Sequence, residues 1–319
     1  MPQINFGEEQ NPTIETATIQ EPSVEINHQQ QEQQPADDSL MPPSDKIMGL
    51  SKIEMNDPNR IEIEISDKQA PIIVLFGQPA CGKTMTLVRM TRYLTAHGYS
   101  VEPVNEFRPN YDANYAEICE NFNAMMNDSD AAKTTSKISF MLVKVSKNGK
   151  TICQILEAPG EYYFNPLAPN AKFPKYFSAI TSSPNRKLWC LFVEPKWGNL
   201  SDRKNYVSKI EYLKKKIKGS DSIVFVYNKI DDTNFLMDGD GHVKISEAKK
   251  DINYRYPGIF DKFKETTPIK RWFSPYKFEF VPFQTGDYPK AADGTKGFEQ
   301  GPDVFPRRLW NVILKKARG

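Results

Sequence analysis

The chain has few of the residues and segments from which metal sites, disulfide frameworks and membrane anchors are built. Its 319 residues include four cysteines and three histidines, and neither set shows the paired spacing of a zinc site. No apolar run approaches the ~20 residues of a membrane span. The first residues also lack the basic and apolar regions of a secretory signal. These absences argue against a disulfide-stabilised secreted module and a membrane-spanning protein, and they predict a reducing, cytoplasmic location.

Lys and Arg are absent from the first 45 residues, which contain nine acids and the glutamine-rich run HQQQEQQP. Because this composition cannot bury a hydrophobic core, we expect a disordered acidic tail, which we assign to residues 1–59. The rest of the chain carries 42 basic residues against 31 acids. That excess favours phosphate-bearing ligands or an acidic partner, and it is equally consistent with screening by the tail itself.

Residues 60–319 alternate between strand and helix patterns, which predicts one α/β domain with a mostly parallel sheet covered by helices on both faces. The segment RIEIEIS (60–66) predicts an edge strand before the domain proper. Apolar runs predict further strands at PIIVLF (71–76), YSVEPV (99–104), KLWCLFVEP (187–195), SIVFVY (222–227) and KFEFVPF (277–283). Helical spacing predicts helices over 83–97, 200–218, 246–254 and 306–317.

A predicted hairpin interrupts this parallel pattern. KISFMLVKV and TICQILE flank an Asn-Gly turn, the strongest local hairpin signal, so one strand of the sheet should be antiparallel. Two insertions are also predicted, near 105–136 and 232–276. In the first, helical spacing predicts an amphipathic helix that either packs on the domain or contacts a partner; its apolar positions are Tyr115, Ile118, Phe122 and Met125.

The segment GQPACGKT (77–84) matches the phosphate-binding pattern G-x-x-x-x-G-K-[ST] between a predicted buried strand and a predicted helix. Gly77 and Gly82 permit a tight loop whose backbone N–H groups turn inward. Lys83 then reaches the β and γ phosphates, and the Thr84 hydroxyl binds Mg²⁺. The pattern therefore predicts a P-loop NTPase whose phosphate contacts are Gly77, Gln78, Pro79, Ala80, Cys81, Gly82, Lys83, Thr84 and Met85.

The segment NKID (228–231) follows a predicted strand, at the sheet edge where ligands of open α/β sheets bind. The Asp231 carboxylate can accept two hydrogen bonds from guanine, while Asn228 bonds the base and the stem of Lys229 lies along it. Adenine would leave the carboxylate facing an acceptor, which is a costly unpaired charge. The motif therefore predicts GTP and GDP as the ligands.

On GQPACGKT, EAPG (157–160) and NKID, the chain resembles the translation-factor-related class of P-loop GTPases, in particular their Ras-like small GTPases, over residues 70–317. The resemblance implies a three-layer P-loop NTPase fold. It implies that Glu157, in place of the family's aspartate, holds Mg²⁺ through a water, and that the Gly160 N–H binds the γ-phosphate.

The resemblance also implies two further contacts. A threonine just before the hairpin should meet Mg²⁺ and the γ-phosphate, and Thr135 is preferred over its neighbour Thr134 because it stands directly before the strand. A final loop should read guanine O6, for which FVPFQTG supplies Thr285 and Gly286 in place of the family's usual Ser-Ala pair.

Slow hydrolysis is a further implication. Ras-like relatives place after the EAPG-type glycine a glutamine that orients the attacking water, whereas this chain has Glu161. Stabilisation of the transition state would then need an arginine from a partner or from the chain, such as Arg108. The expected catalytic set is Lys83, Thr135, Gly160 and Glu161.

These observations predict a Mg²⁺-dependent GTP-binding switch with an effector or activating protein as partner. Two alternatives stay open: a non-hydrolysing scaffold that binds guanine nucleotides, and an ATP-dependent enzyme in which NKID is accidental. Nothing indicates DNA binding or membrane insertion. The run KKKIK (214–218) ends a predicted helix, where cations suit the helix dipole, so it favours a solvated helix end over a nucleic-acid patch.

Overall fold

The computed structural model describes residues 50–108, 113–127, 140–237, 241–287 and 298–317. These residues lie in one compact unit, Ser44–Gly319. Its main sheet has seven strands in the order β2-β3-β4-β1-β5-β6-β7. Their bounds are β1 Ile72–Phe76, β2 Ser100–Pro103, β3 Met141–Lys147, β4 Lys150–Glu157, β5 Lys187–Val193, β6 Ser222–Tyr227 and β7 Glu279–Pro282. A second, two-stranded sheet pairs β8 (Gly286–Asp287) with β9 (Glu299–Gln300).

The sheet is mostly parallel. Strand β1 runs parallel to β4 and β5, and the parallel pairing continues through β6 to β7. Strand β3 is antiparallel to both of its neighbours, β2 and β4. The turn between β3 and β4 places Asn148 (φ 50°) and Gly149 (φ 74°) in the left-handed region, as an Asn-Gly hairpin turn requires. One antiparallel hairpin strand in a parallel sheet is the predicted arrangement.

Helices cover both faces of the sheet. Helix α2 packs against β4 and the C-terminal helix α9. Tyr206, from another helix, contacts Phe76 of β1. Phe177, from a further helix, contacts Trp189 of β5. The helices are α1 Lys52–Asn56, α2 Lys83–Ala96, α3 Ala113–Asn127, α4 Gly160–Tyr163, α5 Lys175–Ser182, α6 Leu200–Lys214, α7 Ile245–Arg255, α8 Pro268–Phe273 and α9 Val304–Ala317. This architecture confirms the predicted three-layer P-loop NTPase fold. In the described part of the chain, no helix combines the length and apolar character that a bilayer span requires.

The predicted strand at 60–66 is wrong, because that segment forms no strand. Ile61 and Ile65 are buried, which accounts for the alternating pattern. The backbone, however, bonds elsewhere: the Glu64 N–H donates to the carbonyl oxygen of Phe107, which lies in a 3₁₀ turn (Asn105–Phe107) and not in a strand (2.9 Å). The alternating sequence pattern therefore reflects one buried face of this segment and does not indicate pairing in a sheet.

Residues 50–59, which the sequence analysis placed in the tail, are folded. Ser51 and Glu54 form a reciprocal capping box that starts α1. Glu54 is buried and forms an ion pair with Arg108, whose guanidinium carbon lies 5.5 Å from the centre of the Phe140 ring. The folded unit therefore begins before residue 60. Arg108, the predicted source of catalytic charge within the chain, thus contacts Glu54 and Phe140.

The predicted amphipathic helix in the first insertion is confirmed as α3. Tyr115, Ile118 and Phe122 are buried in the core, so this face packs on the domain. The side chain of Met125 lies outside the described residues. The polar segment 128–139, with Thr134 and Thr135, also lies outside them.

Candidate functional site

The loop from Gly77 to Thr84 joins the carboxyl end of β1 to the start of α2, and its glycines stand where a side chain would not fit. A Cβ on Gly82, which has φ +87°, would lie 2.2 Å from Asn228 Nδ2. A Cβ on Gly77 would lie 2.6 Å from Cys81 Sγ and 2.8 Å from Phe192 Cβ. Ala80 also adopts a left-handed conformation, with φ 57°. The loop is thus held in a tight conformation by contacts on both sides.

Lys83 is the buried cation of this loop. Only 5% of the residue is exposed, and its Nζ donates hydrogen bonds to the carbonyl oxygens of Gly77 (3.2 Å) and Gln78 (3.0 Å). The side chain therefore folds back over the loop that the sequence assigns to phosphates. Cys81 is a neutral neighbour, because burial raises the pKa of its thiol to about 11.

Two buried amides in the site are incompletely satisfied. Gln78 is fully buried, and neither its Oε1 nor its Nε2 has a hydrogen-bond partner among the described residues. The same holds for Oδ1 of Asn228. Because an unpaired buried polar group costs about 1–3 kcal/mol, such groups are expected where a ligand or water completes the site. The residues present therefore fit a bound polar group at this edge.

The structure brings together Thr84 and Glu157, two of the predicted metal-binding residues. The Thr84 hydroxyl donates to Glu157 Oε1 (2.9 Å), and the backbone N–H of Phe140 donates to Glu157 Oε2 (3.0 Å). Burial raises the pKa of the Glu157 carboxyl, while the charge of Lys83 opposes that shift. A hydroxyl and a carboxylate form the oxygen donor set that Mg²⁺ takes. Thr135, the third predicted ligand, lies outside the described residues.

Phe140 was not predicted as a site residue. It has φ 63°, a left-handed conformation that is rare for a bulky side chain and is typical of functional sites when it occurs. It stands directly before β3, at the end of the segment that carries Thr135. Its hydrogen bond to Glu157 therefore ties the start of β3 to the carboxylate.

The EAPG segment contacts the phosphate loop through Gly160, the first residue of α4. A Cβ at this position would lie 2.5 Å from both the carbonyl carbon of Gln78 and the nitrogen of Pro79. Only a glycine permits this approach of the two backbones. Glu161, the next residue, is exposed. Met85, in the first turn of α2, is buried.

Asn228 connects the NKID segment to the phosphate loop. Its side-chain Nδ2 donates to the carbonyl oxygen of Cys81 (2.8 Å), and its backbone N–H donates to that of Val193 (2.9 Å). The two motifs, distant in sequence, thus share one edge of the sheet, as predicted from their places after β1 and β6.

The remaining base-end residues lie on adjoining loops. Asp231 is exposed on the 3₁₀ turn Ile230–Asp232, and the Ile230 N–H donates to the carbonyl oxygen of Phe283 (3.2 Å). That bond joins NKID to the loop that carries Thr285, which is buried, and Gly286, which begins β8. The structure thus places both predicted base-reading segments side by side.

Glu194 is a second residue that the sequence analysis missed. It follows β5 directly, is 4% exposed, and forms an ion pair with Lys229 of NKID through its Oε2. An acid directly after a mostly apolar strand, at the edge of the sheet where ligands bind, was the available signal.

The sequence matches no protein-family model and none of the curated proteins. Solved structures that match at low similarity include nucleolar GTP-binding protein 1 from Plasmodium falciparum, with 15% identity, 81% of this chain and 92% of that chain covered, and a TM-score of 0.40. Others are GDP-bound aIF5B from Aeropyrum pernix (14%, 78% and 35%, TM-score 0.35) and GDP-bound Roco2 RocCORdC from Methanosarcina barkeri (13%, 80% and 52%, TM-score 0.30). At these levels of similarity, the solved structures carry no argument about the activity of this chain, so that activity has to be inferred from the chain's own residues.

Proposed function

We propose that the chain binds guanine nucleotides with Mg²⁺, hydrolyses GTP slowly and uses its two nucleotide states to switch a partner surface. The observation that carries this proposal is the meeting of three motifs at one sheet edge. The hydrogen bond from Thr84 to Glu157 joins the phosphate loop to EAPG, and the bond from Asn228 to Cys81 joins it to NKID.

The phosphate loop supplies the anion site. Backbone N–H groups of residues 77–84 and the N-terminus of α2 bind phosphate oxygens, with help from the helix dipole. Lys83 exchanges the neutral carbonyl oxygens of Gly77 and Gln78 for charged phosphate oxygens, which are stronger acceptors. Gly160, whose backbone touches the loop at Gln78 and Pro79, places its N–H near the γ-phosphate.

The Thr84 hydroxyl and the Glu157 carboxylate are the groups that would hold Mg²⁺, with Thr135 as a third. When bound, the ion neutralises phosphate charge and orients the phosphates. Glu157 has the chemistry for this role because its carboxylate is buried and already accepts two hydrogen bonds.

Base recognition falls to the opposite end of the site. Asp231 accepts from guanine's ring N–H and 2-amino group, Asn228 bonds the base while holding the phosphate loop, and the Lys229 stem covers one face. Thr285 and Gly286 form the loop that approaches guanine O6. Adenine lacks the donors that Asp231 needs, so the site should prefer guanine.

The switch would involve the segments near Thr135 and Gly160, ordered by the γ-phosphate and released when it leaves. An effector or activating protein would read this difference. The acidic N-terminal segment would act as a tether or a partner-binding arm. Glu161 leaves hydrolysis slow, because a glutamate cannot donate to the γ-phosphate.

Titration of the purified protein with fluorescent GDP, GTP and ATP, followed by a phosphate-release assay, tests the proposal. Guanine nucleotides should bind in preference to ATP, and phosphate should be released over multiple turnovers. Equal affinity for ATP favours the ATP-dependent enzyme instead. Guanine binding without phosphate release favours the non-hydrolysing scaffold.

Hydrogen exchange tests the switch separately. Segments 105–136 and 157–175 should exchange more slowly with a non-hydrolysable GTP analogue than with GDP, since the γ-phosphate orders them. Identical protection in the two states contradicts a nucleotide-dependent switch.

A further inference from the structure

Glu194 is a buried carboxylate fixed in place by its backbone. Its carbonyl oxygen accepts a hydrogen bond from the Tyr256 hydroxyl (2.9 Å), and the next carbonyl, that of Pro195, accepts one from Arg255 Nη1 (2.9 Å). With 4% of the residue exposed, an unpaired carboxylate here would be costly. The fold nevertheless places an acid at this point of the ligand-binding edge.

Lys229 is the partner that compensates this charge. It belongs to NKID, has φ 55°, and its Nζ pairs with Glu194 Oε2 while more than a third of the side chain is exposed. A left-handed conformation costs a lysine about 1–2 kcal/mol. The residue is therefore held at both ends, by a constrained backbone and by a charge contact at the tip.

We infer that Glu194 is a positioning residue for nucleotide binding. By holding the Lys229 ammonium, it fixes the aliphatic stem of Lys229 in the conformation that packs against one face of the base. This inference rests on the proposed function. A lysine without this ion pair would lose rotamer freedom when the base binds. A lysine held by Glu194 has lost that freedom before binding, so binding costs less conformational entropy. Buried ion pairs are weak sources of stability, but they can specify one conformation.

A second ion pair on the same two loops provides the contrast. Lys196 Nζ pairs with Asp232 Oδ1 at 2.8 Å, and both side chains are well exposed (66% and 38%). Exposed pairs of this kind contribute little. Asp232 therefore serves as the matched control for Glu194.

The pH dependence of binding is a readout that a purely structural role would not produce. Burial raises the pKa of Glu194 and Lys229 lowers it, while Asp232 and Arg203 act as weaker charged neighbours. The Cys81 thiol and the Tyr256 hydroxyl also lie close to the carboxylate. As the pH falls through this raised pKa, Glu194 becomes neutral and releases Lys229, so affinity should fall with it.

The experiment measures the affinity for fluorescent GDP of the full-length wild type and of E194Q, K229A, the double variant E194Q/K229A and D232N. E194Q keeps the shape and loses the charge, so we expect about three- to tenfold weaker binding, the range for one long side chain that is no longer pre-ordered. In the K229A background, Glu194→Gln should alter the affinity for GDP by less than about twofold. D232N, in the otherwise wild-type protein, should also alter it by less than about twofold. As the pH is lowered through the raised pKa of Glu194, wild-type affinity should fall more than that of E194Q.

Unchanged affinity in E194Q, or an equal loss with and without Lys229, would overturn the inference while leaving guanine binding intact. If E194Q does not fold, Glu194→Asp keeps the charge with a shorter reach, and wild-type affinity in this variant would equally count against it. Absence of guanine-nucleotide binding by the wild type would overturn the proposed function, and this inference with it.

Discussion

At the end of the candidate site proposed to bind phosphates (the phosphate end), Lys83 and Glu157 are buried and hydrogen-bonded to their surroundings. At the end proposed to bind the base (the base end), Asp231 is exposed on a turn. Close approaches leave no room for a Cβ at three glycines of the phosphate end: Gly77 and Gly82 lie against side chains, and Gly160 lies against the backbone of Gln78 and Pro79. The base end is a meeting of two loops, joined by the bond between Ile230 and Phe283.

This difference separates affinity from selectivity. Phosphates are common to all nucleotides, so a rigid, buried anion site contributes binding energy without choosing a base. Under the proposed function, the choice of base depends on the carboxylate of Asp231, because its acceptor pair would fit the guanine edge. Substitutions at the two ends should therefore have different signatures: a general loss of affinity at one end and a changed preference at the other.

The largest expected effect is at Asp231. In Asp231→Asn, an amide N–H faces guanine's donors and instead suits the 2-carbonyl of xanthine. The preference for GTP over XTP should fall by about 100-fold, which corresponds to ~2.7 kcal/mol. Competition of each nucleotide against fluorescent GDP measures it.

Asp232→Asn, one residue along the same turn, is the control and should keep the wild-type preference. If Asp231→Asn keeps it as well, another group reads the base.

Loss of Lys83 should weaken all nucleotides alike. Lys83→Ala removes the ammonium that offsets the β and γ phosphates, so GTP affinity should fall at least about tenfold, or ~1.4 kcal/mol. GDP and XTP affinities should fall with it, because the change leaves base recognition intact. Titration with the three nucleotides provides the comparison.

Lys196→Ala, which removes an exposed lysine near the base end, is the control for charge alone. An unchanged GTP affinity in Lys83→Ala would remove the phosphate-loop assignment.

Gly160→Ala tests the contact between EAPG and the phosphate loop. The new Cβ would lie 2.5 Å from the backbone of Gln78 and Pro79, so the segments must separate. The free energy of unfolding should fall by about 1 kcal/mol, the lower range for overpacking. A non-hydrolysable GTP analogue should also stabilise the variant less than it stabilises the wild type, as measured by thermal unfolding.

Gly219→Ala is the matched control, because a Cβ there meets nothing within 4 Å. If both glycine variants behave alike, the close approach at Gly160 is not needed.

Strand and helix identities were predictable because their signals are local. The Asn-Gly turn fixed the hairpin, and PIIVLF followed by helical spacing fixed β1 and α2. The strand prediction for residues 60–66 was wrong for the complementary reason. The alternating burial is a local pattern, whereas the hydrogen-bond partner of Glu64 is Phe107, which lies far away in the sequence.

The places of residues 77–84 and 228–231 in the fold were predictable, because each motif directly follows an apolar strand, β1 or β6; their binding roles stay predictions. Phe140 and Glu194 were missed because their roles depend on tertiary partners, Glu157 and Lys229. A left-handed phenylalanine leaves no signature in the sequence, and an acid after an apolar strand acquires meaning only once its partner is known.

The smallest expected effect concerns Glu161, which lies at the phosphate end yet is exposed, like Asp231 of the base end. Turnover by the isolated wild type should be well below one per minute, on the order of 10⁻⁴ per second or slower. Glu161→Gln should keep GTP affinity within a few-fold, because the side chain is not part of the buried anion site. A phosphate-release assay under single-turnover conditions measures both proteins.

The direction of the Glu161 effect follows from charge and donors. An ionised glutamate accepts a hydrogen bond from the attacking water but has no N–H for the γ-phosphate oxygens, and its charge opposes theirs. Glutamine restores a donor and removes the repulsion, so hydrolysis in Glu161→Gln should be retained or faster. Brisk wild-type turnover that disappears in Glu161→Gln would instead identify Glu161 as the general base. In that case, the exposed position of Glu161 would let water reach its carboxylate and would let the abstracted proton pass to the solvent.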